Sequence, residues 1–216
     1  MKKYITEGIG SFFYTFIVWM TIPTGFVTGA GMMTRLSIGI SFAILVYAGA
    51  SISGAHYNPA ITLAAWVQKR ISSKEGFIYV FFQLLGALLA AFVVVNLLKL
   101  EQLPQEAKPL TNGIKALVSE ILGTFLLAFV YLKVITKKLD NSYYGLAIGL
   151  TITVMAYSVG TISGGVFNPI IFISGVIIKW SIWSDFWIYI GCFLGAAFAG
   201  YSYNQLNSNN KKLVNL

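Results

Sequence analysis

The chain alternates long apolar runs with short polar turns. Six of the runs have about 20 residues each, the length that a helix needs to cross a hydrocarbon core of about 30 Å. These runs predict spanning helices at Ile5–Phe26, Leu36–Ser53, Gly76–Leu98, Ile114–Ile135, Tyr144–Ile162 and Phe186–Leu206.

Two further apolar stretches, Asn58–Val67 and Asn168–Ile178, are much shorter. About ten helical residues rise only about 15 Å, half of the hydrocarbon core. These stretches therefore cannot cross the membrane and predict half-helices.

The longest polar interval, Leu100–Asn112, contains Pro104 and Pro109 and divides the chain near its middle. We therefore expect one domain over residues 1–216, with a first half at about 1–100 and a linker at about 100–113. The second half follows at about 114–206, and the Asn- and Lys-rich tail 207–216 is expected to fray.

The two halves repeat one another at three places, with offsets of 113, 110 and 109 residues. The matching segments are Glu7–Phe13 with Glu120–Leu126, Ser53–Ala60 with Ser163–Ile170, and Gln83–Ala91 with Cys192–Gly200. Because each half has three spans, an odd number, the second half enters the membrane upside down. The sequence thus predicts an inverted 3+3 repeat.

An Asn-Pro pair begins each short stretch, at Asn58-Pro59 and Asn168-Pro169. Asn is a favoured N-cap, and Pro suits the first helical position. One isolated Asn-Pro would usually mark only a loop, but two copies at matching repeat positions predict half-helices that meet N-terminus to N-terminus near the midplane. Their converging dipoles disfavour cations, and irregular backbone at that depth indicates a cavity or a buried loop.

The composition agrees with a membrane protein, since 57% of the residues are hydrophobic and 10% are charged. The net charge of +8 is scattered at the ends of apolar runs, which argues against nucleic-acid binding. About ten basic residues fall on the side of both termini and about five on the other, so both termini are expected in the cytoplasm. The first run is too long for a signal peptide and is expected to remain as a span.

Candidate chemistry is sparse. The single cysteine, Cys192, excludes an intramolecular disulfide, and the single histidine, His56, argues against a multi-histidine metal site. No nucleophile and base stand in an arrangement typical of an enzyme. We expect no enzyme activity, no metal and no cofactor.

The paired segments SGAHYNPAIT (Ser53–Thr62) and SGGVFNPI (Ser163–Ile170) resemble the signature of the major intrinsic protein family, the aquaporins and glycerol facilitators. The similarity extends over the whole chain. It implies an all-α membrane protein with six transmembrane helices, two re-entrant half-helices, a pore in each subunit and a homotetramer. The expected location is a cell membrane (plasma or inner).

Two carboxylates, Glu7 and Glu120, fall inside apolar runs. They are either a proton relay or, as in aquaporin-like proteins, acceptors for backbone N–H groups of the loops before the half-helices. The structural interpretation is favoured because the two positions are repeat-equivalent. His56 is either a pH sensor or a packed loop residue, with packing favoured. Cys192, at the position equivalent to Gln83, is expected to be a small buried hydrophobe.

Aquaporin-like proteins have a second constriction on the outer side of the Asn pair. The resemblance assigns it here to Ile38, Ala156, Gly165 and Ile171. The last position is normally Arg. Ile170, where the motif normally ends in Ala, adds bulk beside the Asn pair. The expected constriction is apolar throughout, so either it is wide enough for larger neutral molecules or it dewets and gates the pore.

We therefore expect a passive channel for water or small uncharged solutes such as glycerol or ammonia. Two alternatives remain. A non-conducting structural or adhesion protein could use the same scaffold, and a secondary transporter could use the same inverted repeat.

Overall fold

The computed structural model describes residues 1–28, 31–98, 112–135, 139, 141–179, 181 and 183–213. Within these ranges the regular structure is entirely helical. The helices are α1 (Lys2–Thr28), α2 (Gly31–Ser53), α3 (Pro59–Val67), α4 (Ser73–Phe92), α5 (Gly113–Val134), α6 (Tyr144–Ser163), α7 (Pro169–Ile177) and α8 (Trp187–Leu213). A π-helical turn, Val93–Leu97, extends α4, and a 3₁₀ turn, Trp183–Asp185, precedes α8.

Six of these helices are long and apolar enough to span a membrane, which confirms the predicted all-α fold with six spans. The nine-residue helices α3 and α7 are the two half-helices. At the C-terminus α8 continues to Leu213, beyond the predicted end of the sixth span at Leu206, and the expected fraying of the tail stays a prediction. The linker prediction and the basic residues Lys99, Lys108, Lys137 and Lys138 fall largely or wholly outside the described residues.

The helices pack in two equivalent groups. In the first half α1 lies against α2 and α4, and in the second half α5 lies against α6 and α8, while α2 and α6 join the halves. Each half-helix also crosses into the other group: α3 packs against α8, and α7 packs against α4. These reciprocal contacts are consistent with an inverted repeat.

Small residues allow the close approach of α1 to α4 and of α5 to α8. A Cβ atom on Gly86 would overlap the carbonyl oxygen of Gly8, and one on Gly195 would overlap that of Ile121. Lipid tails are as apolar as Leu, so close backbone packing has to provide much of the attraction between spanning helices. The two glycines are repeat-equivalent and fix equivalent crossings.

Replacing Gly86 by Ala should therefore separate α1 from α4 and destabilise the protein by about 1 to 3 kcal/mol, as overpacking does elsewhere. The matched control is Leu85→Ala on the same helix, where the side chain is exposed on the outer surface. Melting temperatures in detergent should fall more for Gly86→Ala than for Leu85→Ala. Equal melting temperatures would contradict the tight crossing.

Candidate functional site

The two half-helices begin at the Asn-Pro pairs. The Asn58 Oδ1 atom accepts a hydrogen bond from the Ala60 N–H at 2.8 Å, and the Asn168 Oδ1 atom accepts one from the Ile170 N–H at 3.2 Å. Pro59 and Pro169 occupy the first helical positions, where no N–H is needed. Each Asn is therefore fixed as an N-cap, with its amide nitrogen pointing away from its own helix.

Each amide nitrogen reaches the other half of the chain. Asn58 Nδ2 donates to the Phe167 carbonyl at 2.9 Å, and Asn168 Nδ2 donates to the Tyr57 carbonyl at 3.0 Å. These reciprocal bonds bring the two helix N-termini together. A carboxamide carries two N–H hydrogens, so each Asn has a second donor beyond the one in the cross-bond.

The residue before each Asn has an unusual backbone conformation. Tyr57 has φ of 48° and Phe167 has φ of 47°, which is the left-handed region and costs roughly 1 to 2 kcal/mol for a residue with a Cβ. Both rings are buried against glycines, since a Cβ on Gly10 would overlap the Tyr57 ring and one on Gly123 the Phe167 ring. The loops are thus held in a shape that the chain alone does not favour.

Glu7 binds the first loop. Its buried carboxylate accepts four hydrogen bonds: from Ser53 Oγ at 2.6 Å, the His56 N–H at 3.0 Å, the Tyr57 N–H at 2.8 Å and Gln83 Nε2 at 2.8 Å. The N–H groups of an irregular loop have no helical partner, and in lipid they have no water either. The carboxylate provides the acceptors that the loop needs.

Glu120 repeats this arrangement in the second loop. Its carboxylate accepts from Ser163 Oγ at 2.6 Å, the Val166 N–H at 2.9 Å, the Phe167 N–H at 2.7 Å and Cys192 Sγ at 3.5 Å. Cys192 is buried, as expected, and its thiol also faces the carboxylate in the place of the Gln83 amide. A thiol is a weaker donor than an amide.

His56 lies in the first loop and is buried. Its Nδ1 atom is 3.0 Å from Thr62 Oγ1, and its ring meets the rings of Tyr79 and Tyr131 edge-on. The Tyr131 hydroxyl also donates to the Gly54 carbonyl at 2.8 Å. These contacts favour the packing interpretation of His56 over the sensing one.

A cavity of about 200 Å³ lies beside the second loop, and we call it the vestibule. Ile38, Gly165 and Ile171, three of the four residues predicted for the second constriction, line it. Ala156 stands behind Gly165, with its Cα only 3.1 Å from the place that a Gly165 Cβ would take. The structure therefore brings these four residues together, and their part in selectivity stays a prediction.

The vestibule also has polar groups beside the apolar residues of the predicted constriction. Ser181 and Asp185 line it together with the rings of Tyr14 and Trp19. Asp185 precedes the sixth predicted span by one residue, so it is not one of the carboxylates that fall inside apolar runs. The signal that could have identified Asp185 is an acidic residue directly before the first residue of an apolar run.

Trp19 also fixes the first turns of α7. Its indole N–H donates to Ser174 Oγ at 2.8 Å, and that hydroxyl donates to the Ile171 carbonyl at 3.0 Å. Nothing in the spacing of α1 could have indicated this contact, because Trp19 and Ser174 are 155 residues apart.

In the part of the chain that the structure describes, no three His, Cys, Asp or Glu side chains cluster as a metal site would require.

A sequence model described as "Major intrinsic protein" matches residues 1–203. The chain belongs to the major intrinsic protein family. Members of this family are channels and not enzymes, which confirms both the resemblance and the expectation that the chain is no enzyme.

Relatives from distant organisms cover nearly all of this channel protein. The "Probable aquaporin NIP-type" of Nicotiana alata is 30% identical over 100% of this chain and 82% of its own length. "Aquaporin AqpM" of Methanothermobacter thermautotrophicus is 30% identical over 96% of this chain and 98% of its own length. The "Glycerol uptake facilitator protein-like 6" of Lactiplantibacillus plantarum is 30% identical over 88% of this chain and 90% of its own length.

A solved structure supports the fold independently. The X-ray structure of the aquaglyceroporin from Plasmodium falciparum superposes with a TM-score of 0.76 over 98% of both chains, at 20% identity. The family and the six apolar helices together establish a multi-pass membrane channel with the aquaporin fold.

If Glu7 holds the first loop, Glu7→Gln should destabilise the protein by about 1 to 3 kcal/mol, because an amide donor would then face loop N–H groups. Glu120→Gln should do the same in the second loop. The control is Glu75→Gln, which removes only the partly exposed ion pair with Lys3 and should cost less. Melting temperature in detergent is the measurement. A stable Glu7→Gln protein that loses proton-dependent flux would instead favour the relay.

Proposed function

We propose that the chain forms a passive pore in each subunit for water and small uncharged solutes, with glycerol and ammonia as candidates. The protein acts as a homotetramer in a cell membrane, and both termini face the cytoplasm. In this orientation the vestibule opens to the outside.

The observation that carries this proposal is the meeting of α3 and α7 at Asn58 and Asn168. Two helix N-termini concentrate positive dipole ends at one point, so they repel cations there. The second amide hydrogen of each Asn can donate to a passing oxygen or nitrogen atom. A neutral, hydrogen-bonding molecule is the kind of permeant that this arrangement favours.

Ile38, Ala156, Gly165 and Ile171 form the proposed second constriction. Ile171 contributes an apolar side chain where an Arg would narrow the passage and supply donors. The vestibule has room for several water molecules, since each needs only about 10 to 15 Å³ of cavity volume. Ser181 and Asp185 give it polar groups, which supports a wetted passage over a dry gate.

A secondary transporter is less well supported. Such a protein needs ionisable groups that bind a coupling ion. The carboxylates of Glu7 and Glu120 each accept four hydrogen bonds, two of them from loop N–H groups, so they are poor candidates for reversible ion binding.

Stopped-flow measurements on proteoliposomes should show water permeability well above that of bare lipid, with glycerol and ammonia tested in parallel. The blocking variant is Ile38→Trp, which should fill the vestibule and reduce the flux. The control is Ile40→Trp on the same helix, where the side chain is exposed on the outer surface. Permeability equal to bare lipid for all three solutes would favour the non-conducting alternative, and flux driven by a proton gradient would favour a transporter.

The variant Ile171→Arg should narrow the substrate range, because the guanidinium would occupy the constriction and select for molecules that it can hydrogen-bond. Glycerol flux should fall more than water flux. The variant Ile171→Leu keeps an apolar side chain of equal size and should change the ratio little. Unchanged flux of every solute in Ile171→Arg would show that residue 171 does not line the constriction.

A further inference from the structure

The guanidinium group of Arg35, a residue of α2, packs against α6 at Gly160 and Tyr157. A Cβ atom on Gly160 would stand 3.2 Å from Arg35 Nε and 3.3 Å from Nη2. The guanidinium therefore occupies the space that a side chain at position 160 would fill. Gly160 follows Ala156 by four residues, so both point to the same face of α6.

That face is the one behind the second constriction. A Cβ on Gly165 would stand 3.1 Å from the Cα of Ala156 and 3.3 Å from the Cα of Gly160. Ala156, Gly160 and Gly165 thus form one continuous surface, and the guanidinium covers its end. On α2, Ile38 lines the vestibule one helical turn after Arg35. Two helices therefore place the charge one turn outward from the constriction.

One contact of the guanidinium and one of the backbone fix Arg35 against α6. The guanidinium lies over the Tyr157 ring at 5.5 Å, a cation–π distance, and the Arg35 backbone carbonyl accepts from Thr153 Oγ1 at 3.4 Å. Among the described residues the one ion pair joins Lys3 to Glu75, so no described carboxylate within ion-pair distance neutralises Arg35. Within the described residues the positive charge of Arg35 is therefore not neutralised by an ion pair.

We infer that Arg35 supplies, from α2, the positive charge that Ile171 does not supply from α7. It acts as a selectivity residue that repels protons and small cations at the mouth of the vestibule. Because the charge stands outside the constriction, it excludes cations without narrowing the passage for neutral solutes. This inference rests on the proposed pore.

The test compares Arg35→Met with the wild-type protein in proteoliposomes. Proton flux is followed with an entrapped pH-sensitive dye under a potassium diffusion potential, and cation entry with labelled methylammonium. Removing one charge beside a narrow aqueous path should raise both leaks on the order of tenfold. Arg35→Lys keeps the charge and should stay close to wild type. The double variant Arg35→Met with Ile171→Arg should suppress the leak again.

The matched control is Lys115→Gln. Lys115 is exposed near the start of α5, on the same side of the membrane in the proposed orientation, and its loss should leave both leaks unchanged. If Arg35→Met does not insert, Arg35→Gln carries the same expectation.

Water and glycerol permeability are measured on the same vesicles to separate the two proposals. A conducting wild-type protein whose leaks are the same in Arg35→Met would overturn the inference and leave the pore intact. Equal leaks in Lys115→Gln and Arg35→Met, or a leak in Arg35→Lys as large as in Arg35→Met, would also overturn it. A wild-type protein that conducts no solute would overturn both proposals.

Discussion

The structure depends on how backbone N–H groups are satisfied where no water can reach them. Two loops leave helical geometry in the middle of a membrane protein, and each must find acceptors within the chain. Glu7 and Glu120 provide them, with both oxygens of each carboxylate in use. The left-handed conformations of Tyr57 and Phe167 follow from this arrangement, since those residues must aim their N–H groups at the carboxylates while their carbonyls face the opposite Asn.

The spans and half-helices could be predicted from the sequence because they depend on run length, N-caps and repetition. The inverted repeat needed only the matching offsets around Glu7, Asn58 and their equivalents. The vestibule could be predicted only in part. Ile38 and Ile171 came from the resemblance, while Trp19 and Asp185 depend on contacts between helices that are distant in the chain. No periodicity in a helix that is apolar on every side tells which face meets which neighbour. For the same reason the position of Arg35 over Gly160 required the structure.

The two halves are equivalent in outline and unequal in polar detail. The first carboxylate has Gln83 as a partner, and the Gln83 amide also donates to Thr62, which in turn meets His56. At the repeat-equivalent positions the second half has Cys192, Phe172 and Val166. Of these three side chains only the Cys192 thiol can donate a hydrogen bond, and it is a weak donor. The second loop therefore relies more on apolar packing, and the vestibule lies on that side. The side-chain hydrogen bonds that support a loop are thus concentrated around the first loop, which the proposed topology places toward the cytoplasm.

The reciprocal bonds between Asn58 and Phe167 and between Asn168 and Tyr57 have a consequence for biosynthesis. A nascent chain that has inserted only its first three spans has the Asn58 amide and the Tyr57 carbonyl in place but none of their partners, which are synthesised about 110 residues later. Unpaired polar groups at that depth are costly. The first re-entrant loop should therefore reach its final conformation only after the second loop has been inserted. The permeation path would then be completed in one late, concerted step instead of being built span by span.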